Sequence, residues 1–221
     1  MKTVLGSTRY VALSILAIVL GYSSVAYANI TGVTDWTWSS GISCYTPLLD
    51  SSPQLVISAT QYGAGPVQMG GTLLADSIDD PTLTINDQIN NQSGVDWSGF
   101  ILDVYMSTNF TFSSIPPKTY PFVANPSGWT AAVTIAPNYI GGGQYMGQIT
   151  FSGGTPVSAN PASNNNLLNF SYQVTFNGSL SYGFSEQATA IPVPEPTAAG
   201  CLLAGLGVLV GFARLKRGRQ I

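Results

Sequence analysis

The densest group of metal-binding side chains in this sequence is a set of three aspartates within five residues. Asp76, Asp79 and Asp80 carry hard oxygen donors of the kind that calcium prefers, and Asn86-Asp87 follows nearby. Their spacing departs from the Asp-x-Asp-x-Asp-Gly calcium loop, and the distal Glu of that loop is missing. Two interpretations follow: a solvated loop between strands, which we favour, or a loop that binds one calcium ion as its cofactor.

Three aromatic residues offer a second kind of site. Trp36 and Trp38 are two residues apart, so a strand would place both rings on one face, and Tyr45 follows close by. Aromatic rings stack on the apolar faces of sugars. The three residues therefore suggest a glycan-binding platform. The alternative is that the two tryptophans face a hydrophobic core and bind nothing.

Catalytic chemistry finds little support in the sequence. It contains no histidine, which removes His-dependent triads and imidazole-bound zinc. Lys118 follows two prolines and lacks the Ser-x-x-Lys spacing of a Ser-Lys dyad. A pair of carboxylates, as in glycoside hydrolysis, is left open, but nothing marks two particular acids for that role. We predict that the protein is not an enzyme, with a carboxylate-dependent glycan hydrolase as the least favoured alternative.

The N-terminal residues have the three parts of a secretory signal peptide. A basic start precedes the apolar residues 10–21, and Ala26-Tyr27-Ala28 supplies the small residues for cleavage before Asn29. We predict a cleaved signal peptide over residues 1–28 and export through the secretion translocon. An uncleaved anchor is the alternative.

The C-terminal residues also have three parts in a fixed order. Val193-Pro194-Glu195-Pro196 is rigid and disfavours helix, and the uncharged residues 197–213 follow it. A helix over this span would be about 25 Å long, the lower limit for crossing a membrane core of about 30 Å. Residues 214–221 form a basic end that the positive-inside rule keeps cytoplasmic. Its basic residues are Arg214, Lys216, Arg217 and Arg219.

This order resembles the PEP-CTERM sorting tail of Gram-negative bacteria, a tail that is also labelled after ice-binding proteins. The resemblance covers residues 193–221. It implies that an exosortase-type membrane protease processes the chain near Val193 to Pro196. An ordinary single-pass anchor is the alternative. An ice-binding domain would need a flat, repetitive Thr-rich face, and the sequence shows no regular repeat of that kind.

The region between the two ends, residues 29–191, has an extreme charge balance. It holds nine acidic residues and one cation, Lys118, which gives a net charge of −8. Binding to nucleic acid requires clustered Lys and Arg, so we exclude it. Cys44 is the one cysteine of this region, so no internal disulfide forms there. It is either a buried side chain or a free thiol.

The sequence pattern of the same region predicts many short strands separated by turns. Residues 170–176 alternate aromatic or apolar with polar side chains, and no stretch shows a persuasive helical period. We predict an all-β fold, an antiparallel β-sandwich of the immunoglobulin-like or jelly-roll kind. Gly70-Gly71 and Gly153-Gly154 are among the predicted turns. The predicted strand runs are residues 54–60, 82–85, 100–106, 132–135, 146–151 and 170–176.

One internal segment, residues 90–100, resembles a segment that recurs in ectodomains with this sorting tail. Its Asn, Ser, Gly, Asp and Trp residues predict a strand, a turn and a return strand. Trp97 would then cap the core.

These features predict three parts: a signal peptide over residues 1–28, an extracytoplasmic domain over 29–191 and a sorting tail over 192–221. The protein would be exported, held transiently in the inner membrane, and then retained at the cell surface or secreted. We expect a structural or adhesive role in the envelope or extracellular matrix. A carbohydrate-binding module acting on exopolysaccharide is the alternative. The expected partners are the translocon, the exosortase-type protease and exopolysaccharide.

Overall fold

The computed structural model describes residues 28–50, 54–114 and 128–194, and the regular elements in these ranges are β-strands. No helix in the described part of the chain is long and apolar enough to cross a membrane. The predicted membrane span and residues 1–27 of the predicted signal peptide lie outside the described residues. The strands are β1 Ile30–Trp38, β2 Ile42–Cys44, β3 Leu48–Leu49, β4 Gln54–Gln61, β5 Val67–Ala75, β6 Thr82–Asn91, β7 Trp97–Met106, β8 Phe110–Ser114, β9 Thr130–Gly141, β10 Gln144–Val157, β11 Leu167–Phe176 and β12 Ser181–Pro192.

The strands form two sheets. The first sheet has the order β1-β5-β12-β7-β10-β9, with antiparallel neighbours throughout. The second has the order β2-β4-β6-β11-β8, and β3 pairs with β4. In the second sheet β4 and β6 run parallel, so the prediction of a purely antiparallel sandwich is corrected to a mixed one. Parallel neighbours need a crossover connection, and here β5 of the first sheet provides it.

The core lies between the two sheets. Alternate residues of each strand point inward, as in β4, where Leu55, Ile57, Ala59 and Gln61 are buried. Aromatic rings from the two sheets meet across the gap. The ring centroids of Phe151 and Phe170 are 4.5 Å apart, those of Phe100 and Phe170 5.7 Å, and those of Phe176 and Tyr182 4.4 Å.

All six predicted strand runs lie within observed strands, but two glycine pairs predicted as turns lie inside strands instead. Gly70-Gly71 is in the middle of β5, where a Cβ on Gly70 would collide with Ser185 and the backbone of Phe184. Glycine therefore lets β12 approach closely there. Gly153-Gly154 lies in β10 with positive φ values of 86° and 73°. The pairing of β10 with β7 shifts register across that point.

The connection between β6 and β7 is built around the Asn91 side chain. Its Nδ2 donates to the carbonyl oxygens of Val95 at 2.9 Å and Val157 at 3.1 Å, and its Oδ1 accepts from the Ser93 amide at 3.0 Å. The Ser93 hydroxyl in turn accepts from Trp97 Nε1 at 2.9 Å. Trp97 is fully buried, which confirms the prediction that it belongs to the core.

We expect Asn91→Ala to lower the free energy of unfolding by about 2 kcal/mol. The substitution leaves a backbone amide and two carbonyl groups without their partner in a largely buried place. Gln92→Ala is the matched control, because its side chain is exposed, and its effect should stay within about 0.5 kcal/mol. Urea denaturation followed by tryptophan fluorescence measures both. Equal effects of the two substitutions would show that the Asn91 side chain does not stabilise this turn.

Candidate functional site

The three aromatic residues of the predicted glycan platform have different surroundings. Trp36 is half-buried and packs against the core, with its ring stacked on Phe184 at a centroid distance of 6.3 Å. Trp38 is 47 % exposed, and Tyr45 is 81 % exposed beyond β2 of the second sheet. The register of β1 against β5 shifts between Thr34 and Thr37, and Asp35 within this shift has a φ of 54°. Trp36 therefore belongs to the rim of the core, whereas Trp38 and Tyr45 are exposed.

Two of the three aspartates of the predicted calcium loop fasten distant segments of the chain, and the third bonds within its own loop. Asp76 accepts hydrogen bonds from the backbone and side-chain nitrogens of Asn29, which lower the pKa of the Asp76 carboxyl. Asp79 accepts from the Ser77 hydroxyl. Asp80 accepts from the Gly178 amide at 2.6 Å. No group of three acidic or cysteine side chains in the described ranges is placed to hold a metal ion, so the convergence expected for calcium is not found.

The described part of the chain includes four residues of the predicted processing sites. Ala28 is buried and Asn29 is held by Asp76, just before β1. At the other terminus, Val193 donates its amide to the Asp96 carbonyl at 2.7 Å, and Pro194 follows. Ala26, Glu195, Pro196 and the basic residues 214–219 lie outside the described residues.

The Cys44 side chain is buried, as one of its two predicted alternatives required. Burial raises the pKa of its thiol to about 11, and the nearby carboxyl groups of Asp87 and Glu186 add to the shift, whereas the Trp36 indole offsets part of it. The thiol is therefore protonated at neutral pH and unreactive towards other chains.

A trough opens on the outer face of the first sheet, across β1, β5, β12 and β7. It has a volume of about 490 Å³ and continues into a smaller cavity of about 180 Å³, with Ser185 lining both. Gly183 leaves the smaller cavity open, because a Cβ there would meet only the Ser107 side chain, whereas Gly70 and Gly71 lie against neighbouring residues of β12 and β1. Asp35, Thr37 and Trp38 line one end, and Tyr105, Ser107 and Gln144 line the other.

A row of polar side chains runs across the same face. Gln68, Gln187, Asp103 and Gln148 lie directly opposite one another on β5, β12, β7 and β10. Gln148 Nε2 donates to Asp103 Oδ1 at 2.7 Å, and Gln148 Oε1 accepts from the Thr134 hydroxyl at 2.8 Å. The outer face thus offers many hydrogen-bonding groups around the trough and, in the described residues, no cation.

No protein-family model, curated protein or solved structure matches this chain.

Two acidic side chains that the sequence did not mark as a pair come together in the core. Asp87 on β6 is 1 % exposed and Glu186 on β12 is 0 % exposed. The Tyr172 hydroxyl donates to Glu186 Oε1. Burial raises the pKa of Glu186 to about 7 and holds that of Asp87 well above its usual range. These acids have no access to a sugar, so they do not support the hydrolase alternative.

A signal for this pair was present in the alternation of the strands. Asp87 occupies an inward position in the series Leu83, Ile85, Asp87, Ile89, and Glu186 does so between Phe184 and Ala188. An acid in such a position is a candidate for burial. That these two acids meet depends on sheet packing, which the alternation does not show.

We expect Trp36→Ala to lower the free energy of unfolding by about 2–3 kcal/mol, because the half-buried ring packs on Phe184 and the core. Trp38→Ala, two residues along the same strand, should change it by less than about 0.5 kcal/mol. Urea denaturation of both variants and the wild type measures the difference. A larger loss from Trp38→Ala would contradict the placement of Trp36 in the core.

Proposed function

We propose that this chain is an exported protein of the bacterial envelope or extracellular matrix, with an adhesive or structural role, that binds neutral polysaccharide through the trough. The observation that carries the proposal is the trough itself. It extends across the strands of the first sheet and is bordered by the exposed Trp38 and by Tyr105.

The chemistry of the trough favours a sugar chain over other ligands. A pyranose ring stacks on an aromatic side chain such as Trp38, and its hydroxyl groups exchange hydrogen bonds with Gln68, Thr72 and Ser185. At Gly183 no side chain separates a sugar ring from the backbone. The carboxylates of Asp35 and Asp103 accept hydrogen bonds from hydroxyl groups and repel acidic polymers. The preferred ligand is therefore a neutral glycan.

Export and surface delivery are supported by the chain ends. The signal-peptide pattern and the PEP-CTERM-like tail each imply transfer across the inner membrane. Processing near Val193 to Pro196 by an exosortase-type protease would leave the sandwich at the surface or in the exopolysaccharide. A composition with one cation and many Ser, Thr and Asn residues in the mature region suits this setting.

The binding proposal predicts retention of the wild-type protein in native gels that contain a neutral polysaccharide such as xylan, dextran or mixed-linkage glucan. Trp38→Ala should weaken retention at least tenfold, because it removes the stacking ring. Gly183→Val should do the same by filling the trough. A Cβ on Gly183 meets only the Ser107 side chain, at 3.4 Å and 3.5 Å, which is ordinary van der Waals contact.

Tyr45→Ala is the matched control, since it removes an aromatic ring that is even more exposed than Trp38 and does not line the trough. It should leave retention unchanged. Loss of retention in Tyr45→Ala alone would place the ligand on the second sheet. Absence of retention by every neutral polysaccharide would overturn glycan binding and leave only a structural role.

The sorting proposal predicts that the secreted protein lacks its tail. Mass spectrometry of protein recovered from the medium or the cell surface should give an N-terminus at Asn29 and a C-terminus close to Pro196. Substituting Glu195→Ala together with Pro196→Ala should leave full-length chain in the membrane fraction. Detection of Arg214 to Ile221 in the secreted form would contradict processing and favour a single-pass anchor.

A further inference from the structure

The buried pair Asp87 and Glu186 joins the two sheets at the centre of the core. Asp87 belongs to the second sheet and Glu186 to the first. Three of their four carboxyl oxygens, Asp87 Oδ1 and Oδ2 and Glu186 Oε2, have no hydrogen-bond donor among the described residues. A proton on one acid supplies the missing donor for the other, and a hydrogen bond between the two carboxyl groups contributes to both pKa values. Unprotonated, the pair would place two negative charges in an apolar interior.

The neighbours of the pair offer it no positive charge. Ile57 and Phe170 lie directly opposite Asp87 on the adjacent strands, and Met69 and Val104 lie opposite Glu186. The titratable groups that face the pair are the Tyr172 hydroxyl on β11 and the Cys44 thiol on β2, and both stay neutral because burial raises their pKa values. From β1 the nearby group is the uncharged Trp36 indole.

We propose that Asp87 and Glu186 form a proton-operated clamp between the two sheets, which holds them together while the acids share a proton and loosens them when that proton is lost. The native state binds the proton because the carboxyl groups are buried and face each other. The unfolded chain releases it, because both acids are then solvated. The free energy of unfolding is therefore highest at acidic pH and falls as pH rises.

The direction of the pH dependence follows from linkage. Both folded pKa values are raised above the ordinary values of 3.8 and 4.5. The protonated pair therefore contributes fully to the free energy of unfolding below about pH 4, and this contribution is lost as pH rises towards the folded pKa values. Between pH 5 and 7 the unfolded acids are ionised, while the native pair retains at least one proton. Each retained proton changes the folding equilibrium constant about tenfold per pH unit. The pKa of Asp76 is lowered, so this residue affects the pH dependence of the free energy of unfolding only at more acidic pH.

The test is urea denaturation of the full-length chain in detergent at pH 5, 6 and 7. The wild-type folding equilibrium constant should fall about a hundredfold or more over this range. The double variant Asp87→Asn/Glu186→Gln keeps the shape of both side chains and lets one amide donate to the other. It has nothing to titrate at this place, so its equilibrium constant should change less than about threefold.

Asp79→Asn is the matched control, because it removes an exposed carboxylate, and it should keep the wild-type pH dependence. Should the double variant fail to fold, infrared spectroscopy of the wild type supplies an independent measurement. A protonated carboxyl band should be present at pH 6 and disappear on alkaline titration. A wild-type equilibrium constant that is flat from pH 5 to 7, a double variant with undiminished pH dependence, or absence of the protonated band at pH 6 would each overturn the clamp.

Discussion

A carboxyl group in this core can be neutralised only by a proton, because the described residues contain neither Lys nor Arg. The rest of the polar architecture follows from the same constraint. Surface acids accept backbone amides where other proteins would form ion pairs: Asp76 accepts from Asn29, Asp80 from Gly178 and Asp96 from Ala159. Each of these bonds joins segments far apart in sequence. The acids thus fasten loops to the sandwich without any cation.

The lack of cations also shapes what the outer face can recognise. Anionic ligands are bound through Lys, Arg or helix termini, and the described residues of this chain provide none of these. The hydrogen-bonding capacity of the face lies in amides and hydroxyl groups, as in the row from Gln68 to Gln148. Such groups, together with Trp38, match a polyhydroxylated neutral ligand. Gly183 in β12 keeps part of that face free of side chains.

Six of the twelve described strands are predicted from the sequence, whereas the order of the strands in the two sheets is not. Runs such as residues 170–176 alternate clearly because one face is buried, and that signal is local. The local pattern of Gly70-Gly71 predicts a turn, because the close approach of β12 that the pair permits is a tertiary contact and leaves no local signal. The sequence pattern also does not predict the parallel pairing of β4 with β6. Of the site, Trp38 was anticipated, whereas the glycine-lined trough and the meeting of Asp87 with Glu186 depend on strand order.

The positions of the chain ends bear on how the trough would be presented. β1 begins beside Ala75 and β12 ends beside Trp97, so the two termini of the described domain leave from opposite ends of the first sheet. Ser185, which lines the trough, precedes Pro192 by seven residues, or about 23 Å along the strand. On the proposed membrane tether, the trough therefore stands away from the bilayer. An uncleaved signal segment would hold the opposite end at the membrane as well and lay the sandwich along its surface. On this proposal, signal cleavage would free the proposed glycan-binding end to reach the matrix before the tail is processed.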